Sequence, residues 1–228
     1  MGGLVKVEQF SECSQDPPVS GFLHTPETAD GSALVLTHSA GGDCESQLLQ
    51  AISAAFAGAG FQVLRINLPF RQQRPHGPPF PGGAARDREG IRRAVSLMKE
   101  RATGAVYLGG HSYGGRQATM LAADQPGLIP ALLLLSYPLH PPRKPAEPRT
   151  AHFPRLPTPA LFVHGSRDPF GSLEEMHSAL RLIPGRHMLL PVEGSGHDLL
   201  GRKPQPNLPE QIVQAFISSM CKPTLSPM

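Results

Sequence analysis

The chain of 228 residues is long enough for one domain with a sheet buried on both faces, and too short for a second large domain. Its 39% hydrophobic and 17% charged residues are typical of a globular protein. The net charge of +3 fits a solvated surface better than a nucleic-acid interface, which needs clustered Lys and Arg, and no apolar run reaches the length of a membrane span.

The cysteines and the amino terminus bear on location and cofactors. Cys13, Cys44 and Cys221 form neither a C-x-x-C pair nor a zinc-ligand spacing, which favours reduced thiols in the cytoplasm. Residues 1–8 lack a basic region followed by an apolar core, so we expect no secretory signal. No cluster of candidate metal ligands is evident. We therefore expect a cytoplasmic protein that needs no metal or other cofactor.

The first part of the chain predicts strands that alternate with a helix. Residues 5–10 and 19–24 alternate enough to form short edge strands. The continuous apolar run 33–37 is typical of a strand buried on both faces. An amphipathic helix follows and ends at Gly60, and residues 61–68 predict the next strand.

A segment rich in Pro and Gly, residues 69–83, is too long for a simple connection, so we expect it to border a pocket. Arg71 and Arg74 in this segment could bind an anionic group of a substrate, although exposed loop arginines usually have no specific partner. An amphipathic helix is predicted at about residues 87–101.

The strand predicted at residues 105–108 leads into Gly-Gly-His-Ser-Tyr-Gly-Gly, centred on Ser112, and a helix is predicted from about residue 115. A nucleophilic serine that presents its Oγ at the top of a sheet sits on a strained turn between strand and helix, where only small neighbours such as Gly110 and Gly114 fit. The pattern predicts a nucleophile elbow with Ser112 as nucleophile.

Two later strands end in residues that could complete a catalytic triad. One starts near Leu161 and leads to Asp168, and the next starts near Met188 and leads to His197. The order Ser, Asp, His is that of the α/β hydrolases, and loops beyond the carboxyl ends of parallel strands meet in one crevice. Asp198 is an alternative acid, but the neighbour of His197 in sequence is poorly placed to orient it.

Acyl transfer also needs two N–H donors for the oxyanion. The first is expected from Tyr113, the residue after the nucleophile, and the second from the loop after residue 37, where Ala40 is our choice and Ser39 the alternative. His38, Ser39 and His111 are candidate substrate-binding residues, and the alternative for His38, His111 and His164 is a structural or positioning role.

The most apolar strand, residues 131–137, precedes a Pro-rich segment at residues 138–159. This segment could line the pocket through His140 or Arg149, present a P-x-x-P ligand, or be a stiff connector. A capping box at Ser172 and an apolar face after Asn207 predict two further helices, and the tail at 223–228 is expected to fray.

Three motifs, G-H-S-x-G-G, H-G-x-R-D-P-F and G-x-G-H-D, resemble the small α/β hydrolases of the dienelactone-hydrolase-like group. The motifs T-H-S-A-G-G and Y-P-L-H-P-P-R-K-P are more similar to a predicted-hydrolase branch that includes a chromatin-complex regulatory subunit. The resemblance covers roughly residues 20–220. It implies one α/β-hydrolase domain over residues 1–228, with a mostly parallel sheet of about seven or eight strands, helices on both faces, and the short loop 138–159 in place of a cap.

The resemblance and the residues together imply a serine hydrolase that cleaves a small ester-type substrate through an acyl-enzyme, with Ser112, Asp168 and His197 as the triad. The expected partner is a small molecule, rather than a nucleic acid or a membrane. Thioesters, lactones or amides are alternative substrates. A non-catalytic interaction protein on the same fold is the alternative from another class.

Overall fold

An eight-stranded sheet forms the centre of the computed structural model, which describes residues 4–200, 205 and 207–221. The strands are β1 (Val5–Glu12), β2 (Val19–Pro26), β3 (Ala33–Thr37), β4 (Gln62–Asn67), β5 (Val106–His111), β6 (Leu132–Leu135), β7 (Ala160–Gly165) and β8 (His187–Val192). The helices are α1 (Gln47–Gly58), α2 (Pro69–Gln73), α3 (Ala84–Arg101), α4 (Tyr113–Asp124), α5 (Leu173–Leu180) and α6 (Leu208–Phe216), with a π-helical turn at Ile217–Cys221 and a 3₁₀ turn at Phe153–Arg155.

The strand order is β1-β2-β4-β3-β5-β6-β7-β8. Six neighbouring strands are parallel to one another: β4, β3, β5, β6, β7 and β8. Strand β2 pairs antiparallel with both β1 and β4. The predicted mostly parallel sheet of seven or eight strands is therefore confirmed. The expectation that residues 19–24 form an edge strand is wrong, because β2 is hydrogen-bonded on both sides.

Helices cover both faces of the sheet because its central strands are apolar on both faces. Successive residues of β3 point to opposite sides: Val35 packs in the cluster that contains α3, α4 and α5, whereas Leu34 and Leu36 pack with α1 and α6. Ile52 and Phe216 are fully buried on this second side.

Several predicted boundaries shift by a few residues. Strand β5 continues through His111, α4 begins at Tyr113, and the predicted loop 69–83 opens with the short helix α2, which has Pro69 at its first turn. The capping box at Ser172 is confirmed. The Ser172 hydroxyl accepts from the Glu175 N–H, and the Glu175 carboxylate accepts from the Ser172 N–H.

Among the described residues no helix is long and apolar enough to cross a membrane. The predicted frayed tail at 223–228 lies outside the described residues. What matters for function is the carboxyl edge of the parallel strands, where the segments that follow β3, β5, β7 and β8 approach one another.

Candidate active site

Ser112 occupies a strained turn between β5 and α4, with φ 51° and ψ −112°. The backbone crowds around it: a Cβ atom on either Gly110 or Gly114 would lie 2.3 Å from the Oγ1 of Thr37, at the end of β3. Glycine is therefore required at both positions by close approach. The turn presents Ser112 at the edge of the sheet, as the sequence pattern predicts for a nucleophile elbow.

The structure brings Ser112, His197 and Asp168 into one hydrogen-bonded chain. Ser112 Oγ lies 2.8 Å from His197 Nε2, and His197 Nδ1 lies 2.8 Å from Asp168 Oδ2. Both distances suit strong hydrogen bonds. The Asp168 carboxylate accepts from His197 Nδ1, so the ring proton is on Nδ1 and Nε2 can accept from the Ser112 hydroxyl. A general base requires this tautomer of the imidazole.

Asp168 is held rigidly in the turn after β7. Its side chain is fully buried, and its second oxygen, Oδ1, accepts from the Phe170 N–H at 2.8 Å. It is thus Asp168 whose carboxylate meets the imidazole, rather than Asp198, the alternative considered from sequence.

His197 is fixed from two sides. His111 Nε2 donates to the carbonyl oxygen of His197 at 2.8 Å, and the Phe170 ring lies against the imidazole with a centroid separation of 4.2 Å. Burial lowers the pKa of His111 to about 4, so this side chain is neutral near pH 7. His111 therefore contacts the backbone of His197, as a positioning residue would.

His38 also supports the site from beneath. It is fully buried, its Nε2 accepts from the Leu68 N–H at 3.0 Å, and its Nδ1 donates to the Ser39 carbonyl at 2.8 Å. Burial lowers its pKa to about 4. This neutral imidazole ties the loop after β3 to the loop after β4.

Arg71 binds the protein's own backbone. Its side chain is buried and donates to the carbonyl oxygens of Gly42 at 2.8 Å, Ala40 at 2.9 Å, Arg74 at 3.0 Å and Gly77 at 3.1 Å. The guanidinium thereby joins the loop after β3 to the segment after α2. This positioning role differs from the anion binding that the sequence left open as a possibility.

The N–H groups expected to bind an oxyanion have no acceptor within the part of the chain that the structure describes. This holds for Tyr113, Ala40 and Ser39. The Ser39 carbonyl accepts from the Gly42 N–H and from His38 Nδ1. The Ala40 N–H belongs to the same planar peptide unit and points in the opposite direction from this carbonyl. It therefore points away from both donors. All three residues line the cavity beside Ser112.

Tyr113 is itself anchored. Its hydroxyl donates to Asp87 Oδ2 at 2.7 Å, and Asp87 Oδ1 accepts from the Phe70 N–H at 3.0 Å. Burial raises the pKa of Asp87. The buried carboxylate of α3 thus connects the residue after Ser112 to the segment after β4.

A cavity of about 560 Å³ opens over Ser112. Its lining contains the residues described above together with several that come from other loops: Ser39, Ala40, Gly41, Pro79, Ser112, Tyr113, Arg116, Pro138, Arg149, Phe170 and His197. Neither His38, His111, Arg71 nor Arg74 is among them. Within the described ranges, no group of three or more His, Cys, Asp or Glu side chains could hold a metal ion.

Sequence reasoning left two lining residues without a role, Phe170 and Arg116. Phe170 stands two positions after Asp168 in the H-G-x-R-D-P-F motif, and Arg116 follows Ser112 by one helical turn, so both had a positional signal. Arg149, one of the candidates in the Pro-rich segment, lines the cavity, whereas the other, His140, contacts Glu175 elsewhere.

Known proteins share this architecture. A family model described as an alpha/beta hydrolase domain matches residues 30–224. An α/β serine hydrolase homologue from Coxiella burnetii superposes with a TM-score of 0.74 at 17% identity, covering 91% of this chain and 96% of that one. A dienelactone hydrolase from Anabaena variabilis gives 0.74 at 18% identity, covering 95% and 99%.

A third similar structure is an α/β serine hydrolase without a lid from Xanthomonas campestris, with a TM-score of 0.71 at 14% identity and coverage of 97% of both chains. Such low identities show a common fold and leave the substrate open. The family match spans most of the sequence, and the sheet order, the elbow and the helices on both faces agree with it. The chain therefore belongs to the alpha/beta hydrolase domain family.

Proposed function

We propose that this protein is a serine hydrolase that cleaves a small ester-type substrate through an acyl-enzyme. The observation that carries the proposal is the chain of two 2.8 Å hydrogen bonds from Ser112 Oγ through His197 to Asp168. A serine is activated when its hydroxyl lies within hydrogen-bond reach of a base and a buried carboxylate orients that base.

In the first step His197 Nε2 takes the proton of Ser112 as Oγ attacks the substrate carbonyl. Asp168 keeps the Nδ1 proton in place and stabilises the imidazolium that forms. The N–H groups of Tyr113 and Ala40 bind the oxyanion, and the amino end of α4 favours the same negative charge. His197 then gives the proton to the leaving alcohol.

In the second step water enters, loses a proton to His197 and attacks the acyl-enzyme. The tetrahedral intermediate uses the same N–H donors and collapses to release the acid, and the proton returns to Ser112. Each group therefore ends in its starting state.

The substrate is proposed to be small. The cavity of about 560 Å³ is the size of a small-molecule site, and the Pro-rich segment that borders it contains only a three-residue 3₁₀ turn as helical structure among its described residues. We further propose that residues 1–228 form one domain that works in the cytoplasm, in keeping with the free thiols of Cys13, Cys44 and Cys221.

The test is the intact mass of the protein after incubation with a fluorophosphonate, for the wild type, Ser112→Ala and the control Ser96→Ala on α3. We expect one covalent adduct on the wild type and on Ser96→Ala, and none on Ser112→Ala. If folded wild-type protein forms no adduct, the hydrolase proposal fails. The interaction-protein alternative, suggested by the resemblance to the branch with a chromatin-complex subunit, would then take its place.

Labelling of Ser112 would not show which type of substrate bond the protein cleaves. A panel of matched esters, thioesters, lactones and amides with the same acyl group ranks the candidates by kcat/KM. We expect the ester to rank first.

A further inference from the structure

The wall of the cavity beside Ser112 is cationic. Two arginines, Arg116 and Arg149, line it, and none of its described lining residues is an Asp or Glu. The carboxylate of Asp168 is buried below the surface and is occupied by His197 and the Phe170 N–H. Both arginines therefore line a cavity whose described lining contains no acidic side chain.

Arg116 lies one helical turn after Ser112, and its N–H donates to the Ser112 carbonyl at 2.9 Å. Its Nε is buried and has no hydrogen-bond partner among the described residues. A buried donor without an acceptor is unfavourable, so such groups normally have a partner. The Arg116 side chain is within hydrogen-bond reach of the Tyr137 side chain, and His152 lies close enough to sense its charge. Neither Tyr137 nor His152 is an anion near pH 7, so neither neutralises Arg116.

Arg149 reaches the same cavity from the Pro-rich segment. Its backbone is fixed at both ends: its N–H donates to the Leu139 carbonyl at 2.7 Å, and its carbonyl accepts from the Tyr137 hydroxyl at 2.6 Å. No hydrogen bond of its guanidinium occurs within the described ranges. Burial and, next, the charge of Arg116 lower the pKa of Arg149, so the two cations are close enough to repel each other.

Tyr137 and, next, Glu147 act in the opposite direction on the pKa of Arg149, but Tyr137 is neutral near pH 7 and Glu147 is weakly placed. Glu147 is exposed and pairs with Lys144 at 3.0 Å, so its charge is already matched and is screened by solvent.

The buried arginines of this protein show what a structural role looks like. Arg71 donates to four backbone carbonyls, Arg93 to the carbonyls of Gln15 and Pro17, and Arg65 to the Cys44 carbonyl and the His24 ring. Their guanidinium groups are occupied by the protein itself. Arg116 and Arg149 differ from these because both line the cavity, and neither guanidinium donates to a backbone carbonyl among the described residues.

We propose that Arg116 and Arg149 together bind a carboxylate of the substrate, so that the protein hydrolyses esters that carry a carboxylate group near the scissile bond. The proposal rests on the proposed function, because it places the anion in the cavity that Ser112 serves. A planar guanidinium matches a carboxylate, and one anion between two cations removes their mutual repulsion.

The test uses boronic acids, whose boron forms a reversible bond to Ser112 Oγ while the serine proton passes to His197, giving a tetrahedral adduct. The probes are 3- and 4-carboxyphenylboronic acid, each paired with its neutral methyl ester. Protection of the wild-type protein against fluorophosphonate labelling, read by intact mass, gives the affinity of each probe. Two positional isomers allow for different distances between the boron and the arginines.

We expect the better carboxylated isomer to bind at least about tenfold more tightly than its methyl ester, since hydrogen bonds to charged groups are strong. Arg116→Gln and Arg149→Gln should each reduce this preference to within about threefold while leaving the neutral probes unchanged. Arg143→Gln, an exposed arginine on the same Pro-rich segment, should keep the full preference.

The affinity of the neutral probe shows that a variant is still folded around Ser112. A readout without variants is also available: the preference of the wild type should fall as salt rises from about 20 to 300 mM, because ions screen the attraction.

The outcomes separate the two proposals. Labelling of Ser112 with no preference for the carboxylated probes, or a preference that both arginine variants retain, overturns the carboxylate site and leaves the hydrolase intact. Failure of Ser112 to label overturns the proposed function and the carboxylate site with it.

Discussion

Replacing Arg71 by Gln should lower kcat for a neutral ester while leaving KM nearly unchanged. The side chain holds the loop that contains Ala40 through bonds of 2.8 Å to Gly42 and 2.9 Å to Ala40. Without it, the loop loses its link to the segment after α2, and the proposed oxyanion donor is no longer held in place. Loss of one such donor costs on the order of 10²–10³ in kcat.

The free energy of unfolding of Arg71→Gln should also fall, but by less than the sum of the four hydrogen bonds that Arg71 makes. A hydrogen bond from a charged donor contributes about 1.5–3 kcal/mol, and carbonyls on surface loops can turn to water when the guanidinium is removed. We expect a loss of about 3 kcal/mol in the free energy of unfolding, measured by urea denaturation.

Steady-state kinetics with a neutral aryl ester and with a carboxylated one separate the two interpretations of Arg71. A positioning residue lowers kcat for both substrates, whereas a substrate-binding residue raises KM for the anionic substrate alone. The second pattern would refute the positioning role of Arg71. Gln73→Ala, an exposed residue on the same short helix, is the control and should behave as the wild type.

Three further changes test other parts of the site. Asp168→Asn should lower kcat by about 10⁴ with the fold intact by circular dichroism, because His197 would lose the acceptor that fixes its tautomer; a loss below tenfold would contradict the triad. Tyr113→Phe should reduce the free energy of unfolding by about 1–3 kcal/mol, since buried Asp87 loses one of two donors, and an unchanged urea midpoint would show that water replaces the hydroxyl. Burial lowers the pKa of His24, His38, His111 and His152 to about 4, so below pH 6.5 the unfolded chain binds protons that the folded protein does not. Stability should therefore fall as pH drops from about 6.5 towards 4, and His152→Gln should make this decline in urea midpoint less steep.

Much of the fold could be predicted from the sequence because the central strands are short, apolar and bounded by loops. The run 33–37 and the run after residue 160 became β3 and β7 at almost the predicted limits. The order of the strands could not be read in the same way. It depends on which edges pair, and for this reason β2 was expected at the edge although β4 binds its second side.

The residues of the site also differ in how far the sequence could predict them. Ser112, Asp168 and His197 carry local signals, because a strand, a turn and glycine neighbours surround each of them in sequence. The partners of Arg71 and His38 are backbone groups up to 31 residues away, and no pattern in the sequence reveals that a side chain will meet a carbonyl. Arginines that face a cavity and arginines that support a loop look alike until the chain is folded.

The segment between Leu139 and Arg149 has a consequence for how such proteins diversify. It leaves and rejoins the body of the protein at a neck closed by the 2.7 Å bond between these two residues, and residues 142–148 are exposed. Lengthening a loop costs little closure entropy, and exposed tips tolerate insertions. During evolution this loop could be replaced by a longer insertion that covers the cavity, while the nucleophile elbow that carries Ser112 stays unchanged.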